Sequence, residues 1–205
     1  MQPQKNKTQN ILITGEGGSI AIPLARRFLQ VEADVCLLVG DEKAQFKSDE
    51  IINKCRLVQG DMCDVELMAA LVRDADVVVH LAMDEERKSV QQEAPLVLGA
   101  GIAGARNVMN TCLAQQRPML LLSSGEESRI DHSRDDEIAA VPTAIAEQYA
   151  HTLTDQGLRA VIVHLIDVYG PLLDRPGTGR VIGRFLDCLL RGEPLLVNGG
   201  EAMCS

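Results

Sequence analysis

Residues 10–30, NILITGEGGSIAIPLARRFLQ, carry three small residues at a spacing suited to a phosphate. Gly15, Gly18 and Ala21 form the pattern G-x-x-G-x-x-A. A pyrophosphate needs backbone N–H groups aimed at it and no side chain in the way. Gly15 supplies the tight turn, Gly18 admits the backbone to close range, and Ala21 permits tight packing of helix on strand. The start of the following helix adds a dipole that favours negative charge. Pro23 is expected in the first helical turn, where its missing N–H matters little. An unliganded turn between a strand and a helix would use the same spacing. The context, an apolar run before and a helical pattern after, is what points to a dinucleotide. Asp41 follows the next apolar run. A carboxylate there suits the ribose hydroxyls of an adenosine and favours NAD over NADP. Lys43 leaves NADP open, and GDEK is equally ordinary turn chemistry.

The elements that must position these residues alternate along the chain. Short β-rich apolar runs predict strands over 11–14, 35–39, 56–59, 77–81, 119–123 and 160–165. Helical patterns fill 20–31, 65–73, 94–115, 138–156 and 181–191, and the polar stretch 125–137 reads as an exposed loop. This order predicts an α/β protein, a Rossmann-type doubly wound parallel sheet with helices on both faces. The continuous apolar runs DVVVHLA and MLLLSS suit central strands buried on both sides.

The chain's 205 residues suffice for one well-buried core, which must be built from Leu, Val, Ile, Ala and Met because Trp is absent. A formal charge of -9 argues against nucleic acid and against an anionic membrane surface as partners. No apolar run has bilayer length, and the first ten residues are polar. The six cysteines are scattered without a C-x-x-C pair, which points to reduced thiols and a cytoplasmic protein. No residues are assigned to a metal.

Several segments together resemble the extended short-chain dehydrogenase/reductase family, the NAD-dependent epimerase/dehydratases acting on nucleotide sugars. The turn from Thr14 to Ala21 matches its T-G-x-x-G-x-x-A. QGDMCD resembles its G-D-x-x-D, whose first acid, here Asp61, lies by the adenine. VVVHLAM resembles the strand end V-x-H-L-A-A, with His80, Leu81 and Ala82 beside the cofactor. GIAGARNVM is similar to N-x-x-G-T-x-N, with Gly101 in place of the first Asn. LLLSSGEES resembles the strand with the catalytic Ser/Thr, which falls on Ser124. VHLIDVYGP resembles R-P-x-N-V-Y-G-P, with His164, Leu165 and Asp167 as departures. The resemblance implies a cofactor set of Gly15, Gly18, Ser19, Ile20, Asp41, Asp61, Met62, Leu81 and Ala82. Plainer roles compete with it. His80 suits a satisfied histidine at a strand end, Asp61 a turn cap, Ser124 a strand terminus, and Tyr169 packing near the active-site wall.

The family's proton-transfer pair is missing. Its Y-x-x-x-K places a tyrosine phenolate and a lysine on the helix after the serine strand. A free tyrosine has a pKa of about 10, and the lysine and oxidised nicotinamide favour its phenolate. Here the only tyrosines are Tyr149 and Tyr169, and the last lysine is Lys88. AAVPTAIAE fits Y-x-x-x-K-x-x-x-E with Glu147 as the final acid, so Ala139 and Thr143 occupy the tyrosine and lysine positions, with Pro142 near the helix start. Tyr149 is roughly 15 Å further along a helix, too far to substitute. His132, Asp135, Asp136 and Glu137 are candidate replacement bases, against a solvated acidic loop as the plainer reading.

Chains of the family usually continue well past a segment like GEPLLVNGGE. Residues 1–205 are therefore expected to be an NAD(P)-binding Rossmann domain, with 166–205 as the start of an incomplete substrate lobe. The resemblance also implies a homodimer through the helices at 94–115 and 138–156, with Val108, Met109, Cys112, Leu113, Ile145, Ala146 and Tyr149 in interface or intrachain faces. The expected function is a cofactor-binding module with impaired catalysis and a nucleotide-sugar-like ligand. The alternatives are an active epimerase, dehydratase or reductase with a non-standard base, and a degenerate member without ligand.

Overall fold

The computed structural model describes residues 8–15, 18–40, 53–82, 90–124, 134–166, 168–170 and 181–195. It divides into a unit over Met1–Ile166 and a second over Asp167–Ser205. The first contains β1 (Asn10–Gly15), α1 (Gly18–Gln30), β2 (Asp34–Val39), β3 (Arg56–Gln59), α2 (Val65–Asp74), β4 (Val77–Ala82), α3 (Val90–Ala114), β5 (Met119–Ser124), α4 (Arg134–Asp155) and β6 (Ala160–Leu165). All six strands are parallel, in the order β3-β2-β1-β4-β5-β6. The order reverses between β1 and β4, the place where open α/β sheets receive ligands at the carboxyl ends of their strands. The Rossmann-type sheet expected from the strand–helix alternation is therefore present.

Burial explains the pattern. Leu12, Val78 and Leu121 on one sheet face pack with Met68 and Val72 of α2, Val108, Met109 and Cys112 of α3, and Ala146 and Ala150 of α4. Ala21, Ile22 and Ala25 of α1 are buried too, and α1 packs on β1 and β2. Successive strand residues face opposite layers, so strands buried on both sides read as unbroken apolar runs. Asp64 starts α2 by accepting from the N–H groups of Glu66 and Leu67, each at 3.0 Å.

Helix ends share one solution. In α1, α3 and α4 the third residue past the helix donates its N–H five residues back: Ala33 to Phe28, Arg117 to Cys112 and Leu158 to Leu153. The residue just before that donor must be left-handed. It is Gly157 after α4, but Glu32 (φ 60°) after α1 and Gln116 (φ 53°) after α3.

Three sequence expectations shift. Helix α1 begins at Gly18, so Pro23 is its sixth residue rather than part of the first turn, and it faces solvent. Helix α4 begins at Arg134, so 134–137 belong to a helix rather than an exposed loop, and Pro142 is its ninth residue. Of the proposed interface residues, Val108, Met109, Cys112 and Ala146 fill the intrachain core, whereas Ile145 is exposed.

The second unit's described part is dominated by α5 (Val181–Arg191). Among the described residues, no helix is long and apolar enough to cross a membrane.

Candidate functional site

The sheet brings the glycine turn against β4. Gly15 ends β1 with φ 97° and pairs in register with Leu81. A Cβ on Gly15 would run into the Leu81 carbonyl oxygen. Gly15 is thus demanded twice, by its left-handed backbone and by the neighbouring strand. Glu16 and Gly17 lie outside the described residues. Gly18 is the first residue of α1, Ser19 and Ile20 are half-buried in its first turn, and Ala21 is 4% exposed, which allows the helix to seat closely on the sheet. No acidic residue occupies that first turn, so nothing anionic on the helix competes for its N–H groups. This cradle fits a pyrophosphate.

The other expected cofactor residues are placed unevenly. Asp41, with Lys43, lies outside the described residues. Asp61 is exposed after β3, and its Oδ1 accepts from the Cys63 N–H at 2.8 Å, the turn-capping role open to it. Met62 is half-buried and its carbonyl accepts from Asn107 Nδ2 at 2.7 Å. Gly104 lets α3 approach this turn, since a Cβ there would stand 2.9 Å from Met62 Cβ. Cys63 is no thiolate: burial, then the Asp61 carboxylate, pushes its thiol up. Leu81 is buried and Ala82 half-buried at the end of β4.

His80 is buried and partnered within the sheet. It is 2% exposed, and its Nδ1 lies 2.9 Å from Thr14 Oγ1, itself buried. Burial pushes its pKa down to about 4, so the imidazole is neutral near pH 7.

Ser124 is the last residue of β5, paired in register with Leu165. Ala139 lies within α4. Thr143 is 5% exposed, and its hydroxyl donates to the Ala82 carbonyl at 3.1 Å. At the lysine position there is thus a neutral side chain committed to the sheet. Tyr149 donates to Asn110 Oδ1 across α3 and α4 at 2.8 Å. Tyr169, expected to pack near the active-site wall, is 75% exposed. His132 lies outside the described residues, and Asp135, Asp136 and Glu137 belong to the first turn of α4.

One group escaped the sequence reading. The Ser123 hydroxyl donates to Glu147 Oε1, and His164 Nδ1 lies 3.5 Å from the same oxygen. The signal was present: strand alternation pairs Ser123 with His164 on one face, and Glu147 follows Thr143 by one helical turn.

The depression lined by Asn10, Asp34, Cys36, Arg56, Leu71 and Asp74 lies at the amino ends of β1–β3, opposite Gly15. It is not the dinucleotide crevice. Among the described residues, no three His, Cys, Asp or Glu side chains are grouped to hold a metal.

Known proteins agree with this architecture. UDP-N-acetyl-alpha-D-glucosaminuronate decarboxylase of Bacillus cytotoxicus is 28% identical over 204 residues, covering 92% of this chain and 63% of the relative. The Bordetella bronchiseptica enzyme WbmF, solved in complex with NAD+, superposes with a TM-score of 0.73 at 22% identity, over 94% of this chain and 63% of that one. UDP-glucose 4-epimerase of Thermotoga maritima, solved with UDP-glucose, gives 0.71 at 19% identity, over 90% and 64%. The chain spans less than two thirds of each of these relatives. The family model for NAD-dependent epimerase/dehydratases matches residues 11–203, from the first buried residue of β1 to beyond α5. With the parallel sheet, the glycine turn and the ordered strand-end motifs all accounted for by one match, this chain belongs to the NAD-dependent epimerase/dehydratase family.

Proposed function

We propose that this chain binds NAD at the β1–α1 turn and serves as a nucleotide-binding module without the family's usual proton transfer. The observation that carries the second half is Thr143. Its hydroxyl is donated to the Ala82 carbonyl, where the family pattern has a lysine, and Ala139 stands at the tyrosine position. Hydride movement at a sugar carbon requires a matched proton movement at its oxygen, and neither alanine nor a committed threonine supplies one.

In this reading the pyrophosphate sits on the backbone of Gly15 and Gly18 and at the α1 N-terminus, flanked by Ser19 and Ile20. Asp41 takes the adenosine ribose, Asp61 and Met62 border the adenine, and Leu81 and Ala82 line the way to the nicotinamide. Bound NAD would supply a hydride acceptor; the chain's own residues bind and orient it. Preference for NAD over NADP rests on Asp41. Ser124 marks where a sugar hydroxyl would approach. The decarboxylase and epimerase relatives support a nucleotide-sugar ligand. Residues 166–205 form the start of a substrate lobe, the protein is cytoplasmic, and two copies pair through α3 and α4, where Ile145 is exposed.

The test is calorimetric titration with NAD and NADP, followed by nicotinamide absorbance and product chromatography with UDP-, GDP- and dTDP-sugars. Binding of NAD without turnover is expected. No heat at millimolar cofactor removes the binding claim. Robust turnover removes the impairment claim and directs attention to His132, Asp135, Asp136 and Glu137. An Ala139→Tyr/Thr143→Lys variant should gain turnover. Light scattering that finds only monomer at high micromolar concentration refutes the pairing.

A further inference from the structure

Two strands and a helix meet at one carboxylate. Glu147 lies one turn beyond Thr143 on α4, and its side chain is 12% exposed. Its Oε1 accepts from the hydroxyl of Ser123, which is fully buried near the end of β5. The same oxygen is 3.5 Å from Nδ1 of His164, a half-exposed side chain near the end of β6. Ser123 and His164 are register partners, so both project from the sheet face that α4 covers.

We propose that His164 and Glu147 form a proton-operated tie between β6 and α4, fastened when the imidazole is charged and loosened when it is neutral. Glu147 is then a positioning residue for the strand ends that carry Ser123 and Ser124. The physical case is direct. Among the described residues Ser123 is the neutral donor to this mostly buried carboxylate, and a charged imidazole 3.5 Å away adds an attractive opposite charge. The family pattern resembled by VHLIDVYGP has an arginine at this position, which would keep its charge at every accessible pH. Histidine is the side chain that changes charge between about pH 5 and 8.

Among the described side chains, α4 carries Glu147, Tyr149, His151 and Asp155, β6 only His164 and β5 none; of the elements packed on α4, α3 carries Arg106 and Cys112 and β4 the buried, neutral His80.

The test is amide hydrogen exchange of residues 162–165 from pH 5.5 to 8.5, corrected for intrinsic rates, in wild type, His164→Arg and His164→Gln. Because His164 is half in water, the expected change is small: wild-type protection falls by about 2- to 5-fold as pH rises. His164→Arg stays flat at the protected level and His164→Gln flat at the exposed level. A wild-type pH profile in either variant overturns the proposal. Should a variant not fold, wild-type NMR still decides. The His164 ring and the Ser123 and Glu147 amides must titrate with one midpoint, and unrelated midpoints refute the tie.

Discussion

Acid should destabilise this protein through His80. The imidazole is 2% exposed, is bonded to Thr14 and has its pKa pushed down to about 4 by burial. In the unfolded chain it titrates near about 6.5. Between these values the unfolded state binds the extra proton, so the stability present above about pH 6.5 is lost as pH falls through about pH 4. For one such group the loss relative to pH 7 is about 2 kcal/mol at pH 5 and about 3 kcal/mol at pH 4. Carboxylates add their own acid dependence, so the decisive measurement is a difference. His80→Asn retains an amide to partner Thr14 but cannot take up a proton in this range. It should be less stable than wild type at pH 7, because a ring is removed from a packed site. Its denaturant-unfolding free energy should nevertheless fall less steeply from pH 7 to pH 4, by about the amount given above. Urea titrations followed by circular dichroism at pH 7, 6, 5 and 4 supply both curves. Parallel curves would refute the argument, as would a folded-state His80 ring that titrates above pH 5.5 by NMR.

Other consequences are local. Glu32 and Gln116 are left-handed, and each closes a helix where glycine would be unstrained. Glu32→Gly and Gln116→Gly should each raise stability by about 0.5–1 kcal/mol, read as higher denaturant midpoints. Gly15→Ala combines a φ of 97° with a clash against the Leu81 carbonyl, so it should lower stability by about 2 kcal/mol or more; a wild-type melting curve would contradict the close approach. Asp64→Ala removes the cap on two α2 N–H groups and should cost about 1 kcal/mol, with protection lost first at Glu66 and Leu67 in hydrogen exchange.

What could be read from the residue order divides by range of interaction. Strand–helix alternation is local, and β3, β6 and α5 fall on the expected residues 56–59, 160–165 and 181–191. Helix starts are harder. Arg134 begins α4 inside a charged stretch that reads as loop, because polarity alone does not distinguish a solvated loop from a solvated helical turn. The ends of α1 and α3 carried no glycine signal, since tertiary structure holds Glu32 and Gln116 in a conformation their own preference disfavours. At the site, Gly15 was legible as a turn residue, but its abutment on Leu81 was not, because it depends on a strand more than sixty residues away. The Ser123–Glu147–His164 group is missed for the same reason. Each residue alone is ordinary, and only the register of β5 with β6 under α4 joins them.

The two halves of the proposed function depend on different parts of the chain, and this is why one can persist without the other. Phosphate binding is done by backbone N–H groups, a helix end and the absence of side chains at Gly15 and Gly18, so it survives any substitution that leaves the β1–α1 turn intact. Proton transfer is done by two side chains at one spacing on α4, and nothing in the sheet or the core requires them. The positions that would carry them illustrate the point. Thr143 is buried, bonded to Ala82 and compatible with a well-packed β4–α4 contact, so the fold accepts a neutral residue at this position. Restoring lysine there alone would put an ammonium beside a carbonyl without its phenol partner, and tyrosine alone would lack the charge that favours its phenolate. The single variants Ala139→Tyr and Thr143→Lys should therefore remain inactive while the double variant gains turnover, a non-additivity expected of groups that act as a unit. Turnover in either single variant would show that proton transfer here does not depend on the pair.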